Sequence, residues 1–203
     1  RKCLASAEAK FGAGHPVTIG ARGRLAEAQW LSGDLAGAEP LARQTVDEAD
    51  LTLGREHPLT AKHSYTLGRL LDTKREWREA EPLLQRALAA FEQLWGTANP
   101  QAADCAVLLG SVLQKLGKHA EAEAVLRRVM ATFEERAGQG DSRLFLTIRT
   151  LASVLVAEGD LAGAEALYTR AQELGTRLFG AGHKHTFECR LALQGIRSQR
   201  SQT

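Results

Sequence analysis

The sequence predicts an all-helical solenoid of antiparallel helix pairs, and three observations lead there. The stretch 151–165 returns at a fixed period of 42 residues, as Leu109, Gly110, Leu113, Gly117, Ala122 and Glu123, then as Leu67, Gly68, Leu71, Ala80 and Glu81, then as Leu25, Ala26, Gly33, Ala38 and Glu39. A constant period of this size marks a repeat architecture. Apolar residues inside each period recur at helical spacing, as in Ala61, Leu67, Leu70 and Leu71 or in Phe145, Ile148, Leu151, Val154 and Leu155. A six-residue linker with Gly second separates the periods: 11–16, 53–58, 95–100, 137–142 and 179–184.

Taken in order, residues 1–10 match the second half of a repeat, Cys3, Leu4 and Ala7 corresponding to Thr45, Val46 and Ala49. The intact protein is therefore expected to carry at least one more helix upstream. Four full repeats follow over 11–52, 53–94, 95–136 and 137–178. Gly12, Gly54, Gly96, Gly138 and Gly180 read as helix stops that take positive φ. Asn99 and Asp141, with His15 and His57 in the same place, read as N-caps, and Pro16, Pro58 and Pro100 suit a first helical position, where no N–H is needed. First helices are predicted from about Val17, Leu59, Gln101 and Arg143. The small residues Ala26, Gly68, Gly110 and Ala152 allow close helix approach, and Gly33, Gly117 and Gly159 end these helices, with Arg75 in the equivalent place. Second helices are predicted near Ala38, Ala80, Ala122 and Ala164, so that Pro40 and Pro82 fall close to the first turn. Glu39, Glu81, Glu123 and Glu165 are read as solvating those helix starts or favouring their positive ends. Residues 179–198 form a capping helix, in which Gln194 and Arg197 replace the small residue and the Leu, before a frayed tail at 199–203.

Composition bounds the function classes. A formal charge of +2 over 203 residues, with acids and bases interspersed, gives no basic stripe for nucleic acid. No apolar run reaches the roughly 18 residues of a membrane span, and Glu8 and Lys10 interrupt any signal-peptide core. A soluble, cytoplasmic chain is expected. The three cysteines, Cys3, Cys105 and Cys189, each occupy a repeat position and are expected to be inert thiols in a reduced compartment.

The recurring Leu, small residue, Leu, Gly, Ala-Glu and Leu, with an aromatic or Leu, Gly and His-Pro in the linker, are carried by Leu67, Gly68, Leu71, Ala80, Glu81, Leu83, Leu53, Gly54, His57 and Pro58. Over essentially the whole chain this pattern resembles the tetratricopeptide repeats of kinesin-light-chain type. Departures are Arg75 for Gly, Ala137 for the linker aromatic and Asp141-Ser142 for His-Pro. Groove asparagines of kinesin light chains are not matched: those places hold Gly23 or Arg24, Tyr65 or Thr66, Val107 or Leu108, and Arg149 or Thr150. The resemblance implies a right-handed superhelix whose first helices line a concave groove for a peptide or partner helix. It also implies that such a module can serve as an appended regulatory segment of a kinase or signalling ATPase, acting in cis.

No motif for chemistry is present. Six residues separate Gly110 from Gly117-Lys118 where a phosphate-binding loop needs four, and His119 follows instead of Ser or Thr. Gly12-Ala13-Gly14 lacks a third glycine at Val17, and His183 of His183-Lys184-His185 belongs to the helix-start column with His15 and His57. Neither catalytic residue, metal nor cofactor is expected.

Recognition is instead expected where exposed columns vary between repeats. On the first helices these are Gly20, Arg24, Glu27 and Leu31; Lys62, Tyr65, Arg69 and Asp72; Asp104, Val107, Ser111 and Lys115; and Leu146, Arg149 and Ser153. Arg24, Lys62, Arg69, Lys115 and Arg149 suit an acidic segment, and Tyr65 and Trp30 suit aromatic anchors. Tyr65, Arg69 and Arg149 are the residues whose loss should weaken capture without unfolding. Trp77 and Trp95 are expected in the core, leaving Trp30 as the surface tryptophan. The function expected is a non-catalytic scaffold that binds a peptide or helix of another protein.

Overall fold

A computed structural model describes residues 2–136 and 142–201, and within them every regular element is an α-helix. The chain divides into two compact units, 1–95 and 96–203, at the third linker. The first holds α1 (Lys2–Phe11), α2 (Pro16–Leu31), α3 (Leu35–Thr52), α4 (Pro58–Thr73) and α5 (Trp77–Trp95). There α2 packs on α3, α4 on α5, and both α2 and α3 on α4. The second holds α6 (Pro100–Lys115), α7 (His119–Arg136), α8 (Ser142–Glu158), α9 (Leu161–Phe179) and α10 (Lys184–Arg200). Its packing repeats the scheme: α6 on α7, α8 on α9, α6 and α7 on α8, and α10 on α9. Each unit is thus a stack of helix pairs, the helical-repeat solenoid fold.

The linker chemistry starts the first helices as expected. His15, His57 and His183 accept through Nδ1 from the N–H of Val17, Leu59 and His185 at 3.2, 3.1 and 3.3 Å, and Asn99 accepts from Gln101 at 2.8 Å. Each cap satisfies one of the free N–H groups at a helix start, worth about 1 kcal/mol. Phe11 stacks on His15 and Phe179 on His183, with ring centroids 4.8 and 4.9 Å apart, so the linker aromatic holds the capping ring. The fourth linker, with the expected stop at Gly138 and cap at Asp141, lies outside the described residues.

Second helices begin three residues earlier than the sequence suggests, at Leu35, Trp77, His119 and Leu161. The cause is visible in two of them: Asp34 accepts from Gly37 N–H and Asp160 from Gly163 N–H, each at 2.9 Å. Pro40 and Pro82 consequently sit inside their helices, not in the first turn. The carbonyls they leave unbonded belong to Ala36 and Arg78, both exposed residues, where solvent can supply the missing donor.

Close approach within a pair depends on the small column. A Cβ on Gly68 would lie 2.6 Å from Leu84 Cδ2, and one on Gly110 would lie 2.8 Å from Leu126 Cδ1. Around these contacts Leu71, Leu84 and Phe91 in the first unit, and Leu113, Leu126, Phe145, Ile148 and Leu151 in the second, are fully buried. Each contributes about 1.5–3 kcal/mol.

Ion pairs tie one repeat to the next. Asp50 meets Arg86 at 2.5 Å and Glu134 meets Arg170, each linking consecutive second helices. Arg22, 2% exposed, is gripped by Glu8 and Glu48. Two of the repeated glutamates, Glu39 and Glu165, join this network, which corrects the reading of those two as helix-start solvation, while Glu123 pairs within its own helix. Glu39 binds Lys74 and Arg43, Glu123 binds Arg127 at 2.6 Å, and Glu165 binds Arg197 and Arg200. Lys74, then Arg43, holds the Glu39 carboxyl below its ordinary range, and Arg197, then Arg200, does the same to Glu165.

Three further expectations are corrected. Trp95 is 43% exposed and stacks on Phe91 at 5.6 Å, because the last residue of α5 lies past the turn that its neighbours cover. Trp30, placed at the surface by its column, is half-buried. Residues 199 and 200, expected as frayed tail, are the end of α10, whose cap Ser201 donates its N–H to Arg197 and Gln199 carbonyls. Cys105 and Cys189 are buried and Cys3 is exposed, all as free thiols.

Candidate peptide-binding faces

In the first unit, α2 presents Arg24, Glu27 and Trp30, and α4 presents Lys62, Tyr65, Arg69 and Asp72. Four of these converge. The Arg69 guanidinium lies over the Trp30 ring at 4.5 Å and over the Tyr65 ring at 5.6 Å, with the Glu27 carboxylate at 4.0 Å. Aromatic faces fix a guanidinium by its plane and leave its N–H edge for a carboxylate, and 4.0 Å is too long for Glu27 to hold that edge by a hydrogen bond. Asp72 is turned to another task, accepting from Trp77 Nε1 at 3.1 Å. Arg24 and Lys62 are both exposed, and neither side chain makes an ion pair or hydrogen bond among the described residues. Between them lies His63, which is not among the candidate residues of the sequence. Burial, and then the charges of Lys62 and Arg24, lower its pKa to about 4.

In the second unit, Ser111 (α6), Arg149 and Ser153 (α8) line one cavity of about 300 Å3 with Gln114, Thr150, Tyr168 and Glu188. Arg149 is held by Glu188 at 2.8 Å and lies 3.2 Å from His185 Nδ1. Gln114 Nε2 donates to the Ser153 carbonyl and hydroxyl, both at 2.8 Å. The His185 hydrogen bond, and then Arg149, hold the Glu188 carboxyl below its usual range, while burial raises the Tyr168 and Cys189 pKa values. Asp104 lies outside this cavity and accepts from Arg143 at 3.1 Å, and Lys115 is exposed at the end of α6. Tyr168, Gln114 and Glu188 escaped the sequence reading. Tyr168 had a signal: it stands in the column of Leu84 and Leu126 and brings a hydroxyl where they bring only carbon.

Among the described residues no helix is long and apolar enough to cross a membrane, and no group of three or more His, Cys, Asp or Glu side chains is placed to hold a metal ion.

No curated protein matches the chain. Among solved structures it resembles a Podosopora anserina chain of nearly identical kinesin-light-chain TPR-like repeats, at 21% identity and a TM-score of 0.78, covering 86% of this chain and 82% of that one. It also resembles BtubC (BKLC) from P. vanneervenii, at 18% identity and 0.69, covering 98% and 91%. RapI in its apo form matches at 10% identity and 0.73, covering 92% of this chain and 49% of RapI, about half its length. These likenesses establish the fold. A tetratricopeptide repeat family model matches residues 21–93 and 74–135, more than half of the 203. The chain belongs to the tetratricopeptide repeat family.

Proposed function

We propose that the chain is a non-catalytic protein-interaction module whose first-helix faces capture a segment of another protein, and that the first unit selects an acidic one. The observation that carries this reading is Arg69, stacked on Trp30 and Tyr65, with its N–H edge making no hydrogen bond to Glu27. A guanidinium fixed in this way loses little freedom on binding a carboxylate, so more of the charge-assisted bond appears as affinity. Arg24 and Lys62 add positive charge on the same two helices. Repeats of this family generally serve as scaffolds for other proteins, and a Rap protein of similar fold was solved in complex with Competence and Sporulation Factor.

The test uses a fluorescein-labelled, amidated Glu-rich dodecamer and its Gln counterpart. The acidic probe should bind at least about tenfold tighter and weaken with added salt. Arg69→Ala should lose about tenfold or more, a charged hydrogen bond being worth about 1.5–3 kcal/mol, with helicity and melting unchanged. Equal affinity for both probes would overturn the selection of acidic segments.

A further inference from the structure

On the second helices of the first unit, a groove of about 400 Å3 lies between α3 and α5, with Leu67 of α4 at its base. Val46, Leu67, Pro82 and Leu83 give it an apolar floor, Val46 and Leu67 being 4% and 3% exposed. Ion pairs join the two walls between positions 36 residues apart: Arg43 meets Glu79 at 2.8 Å, and Asp50 meets Arg86 at 2.5 Å. Between these two rungs, a turn from each, the same spacing matches Asp47 with Leu83, which has no charge to offer it. The ladder of bridges is interrupted there, and the gap is the groove.

Four charged side chains line this groove, and two of them are already spent on each other. Arg43 and Glu79 form the first rung, whereas Asp47 on α3 and Arg78 on α5 are exposed and make no ion pair or hydrogen bond among the described residues. Both depart from their columns. Arg78 stands where the other repeats have Ala36, Ala120 and Ala162, and Asp47 where the next two have Ala89 and Ala131. The corresponding places of the second unit thus keep an apolar residue, Leu167 for Leu83, and lack both free charges. An acid on one wall and a base on the other, above an apolar floor, are peculiar to α3 and α5.

We propose that this groove docks an amphipathic helix of a partner protein, which seats one bulky apolar side chain between the two ion-pair rungs, with a basic side chain for Asp47 and an acidic one for Arg78. Charge complementarity selects this occupant. A uniformly acidic segment meets Arg78 but is repelled by Asp47, a uniformly basic one suffers the reverse, and only a helix of mixed sign satisfies both walls. Exposed pairs of this kind add little affinity, so the apolar side chain supplies most of the binding and the two charges supply the choice of partner. The groove is independent of the acidic-segment reading of the first-helix faces, and together the two would let the first unit hold two partners at once.

The experiment titrates the whole isotope-labelled chain, followed by NMR, with an acetylated, amidated Ala-rich helix that carries one Phe, a Glu one turn before it and a Lys one turn after it. These charges flank the Phe on opposite sides of one helix face. The probe should shift the Val46, Leu67 and Leu83 resonances with a dissociation constant of about 1 mM or tighter, and its Phe→Ala counterpart should bind at least about tenfold more weakly. Asp47→Lys should weaken the probe about threefold or more, and a probe with Glu in place of its Lys should recover the loss, because both walls are then basic. Asp47 is exposed, so the melting temperature should stay within about a degree or two. Equal binding of the Phe→Ala probe, or no shift at these resonances with several millimolar probe, would overturn the groove. Displacement of the probe by the acidic dodecamer would place it on the first-helix faces and also overturn the groove, whereas Glu- and Gln-rich dodecamers binding alike would overturn only the acidic-segment reading. If dilution of the chain alone moved the same resonances, the occupant would be a second copy and the partner helix would be ruled out.

Discussion

Lys62 in the first unit holds the same place in the 42-residue period as Asp104 and Glu188 in the second. In the second unit each of these acids takes an arginine, Asp104 with Arg143 at 3.1 Å and Glu188 with Arg149 at 2.8 Å. In the first unit the same place carries a base, and it meets Arg24 across a small cavity instead of neutralising anything. The helices beneath are alike. One column, read through its neighbours, decides whether a face presents open cations or cations already paired, and charge selectivity can therefore be gained or lost in this fold without disturbing its core.

The largest effect should come from giving the first unit the arrangement of the second. Lys62→Glu removes one cation and supplies a carboxylate for Arg24, so affinity for the acidic dodecamer should fall by about 30-fold or more, roughly 2 kcal/mol. Because Lys62 is exposed, the melting temperature should stay within about a degree or two. A loss below threefold, measured by titration at low salt, would mean that the two faces do not differ in the way their charges suggest.

What the sequence made legible was whatever repeats at one period. The stops, the histidine caps and the small-residue approach of Gly68 to Leu84 recur in columns, and each column states a single local requirement. The ion pairs were not legible, because they join positions that are not one period apart: Asp50 and Arg86 are separated by 36 residues, Arg149 and Glu188 by 39. Those spacings depend on how neighbouring helices are rotated, which a column does not encode. The same limit hid Glu188 from the candidate residues and hid the hydrogen bond that Asp72 accepts from Trp77 Nε1. Trp95 failed for another reason: its column is apolar throughout, but at a helix end apolar character does not imply cover, as Phe11 at 43% exposure also shows.

The turns inside the pairs offer a second contrast, smaller in energy. Gly117 and Gly159 make this turn in the second unit at φ 77° and 89°, whereas the first unit uses Gly33 once and Arg75 once, at φ 64°. A side chain in the left-handed region costs about 1 kcal/mol relative to glycine. Arg75→Gly should therefore raise the stability of the first unit by about 1 kcal/mol, and Gly117→Arg should lower that of the second by a similar amount. Urea unfolding with a probe in each unit, such as Trp77 fluorescence for the first, checks both. No gain in Arg75→Gly would show that Arg75 is held by contacts that offset its backbone.

The smallest effect concerns the ion pair that closes the second unit. His185, then Arg149, hold the Glu188 carboxyl below its ordinary range, so the stability it contributes is fully present above about pH 4.5 and is lost as pH falls through the depressed folded value. Glu188 is 41% exposed, and solvent screening limits the contribution to a few tenths of a kcal/mol. Glu188→Gln should accordingly lower stability slightly at pH 7 and flatten its decline between about pH 5 and 3. The same substitution also releases the Arg149 edge into a cavity lined by Ser111, Ser153 and Tyr168. If paired cations are what distinguish the second unit from the first, the acidic dodecamer should then bind that variant two- to threefold tighter at pH 7, and an unchanged affinity would place the difference in shape instead of charge.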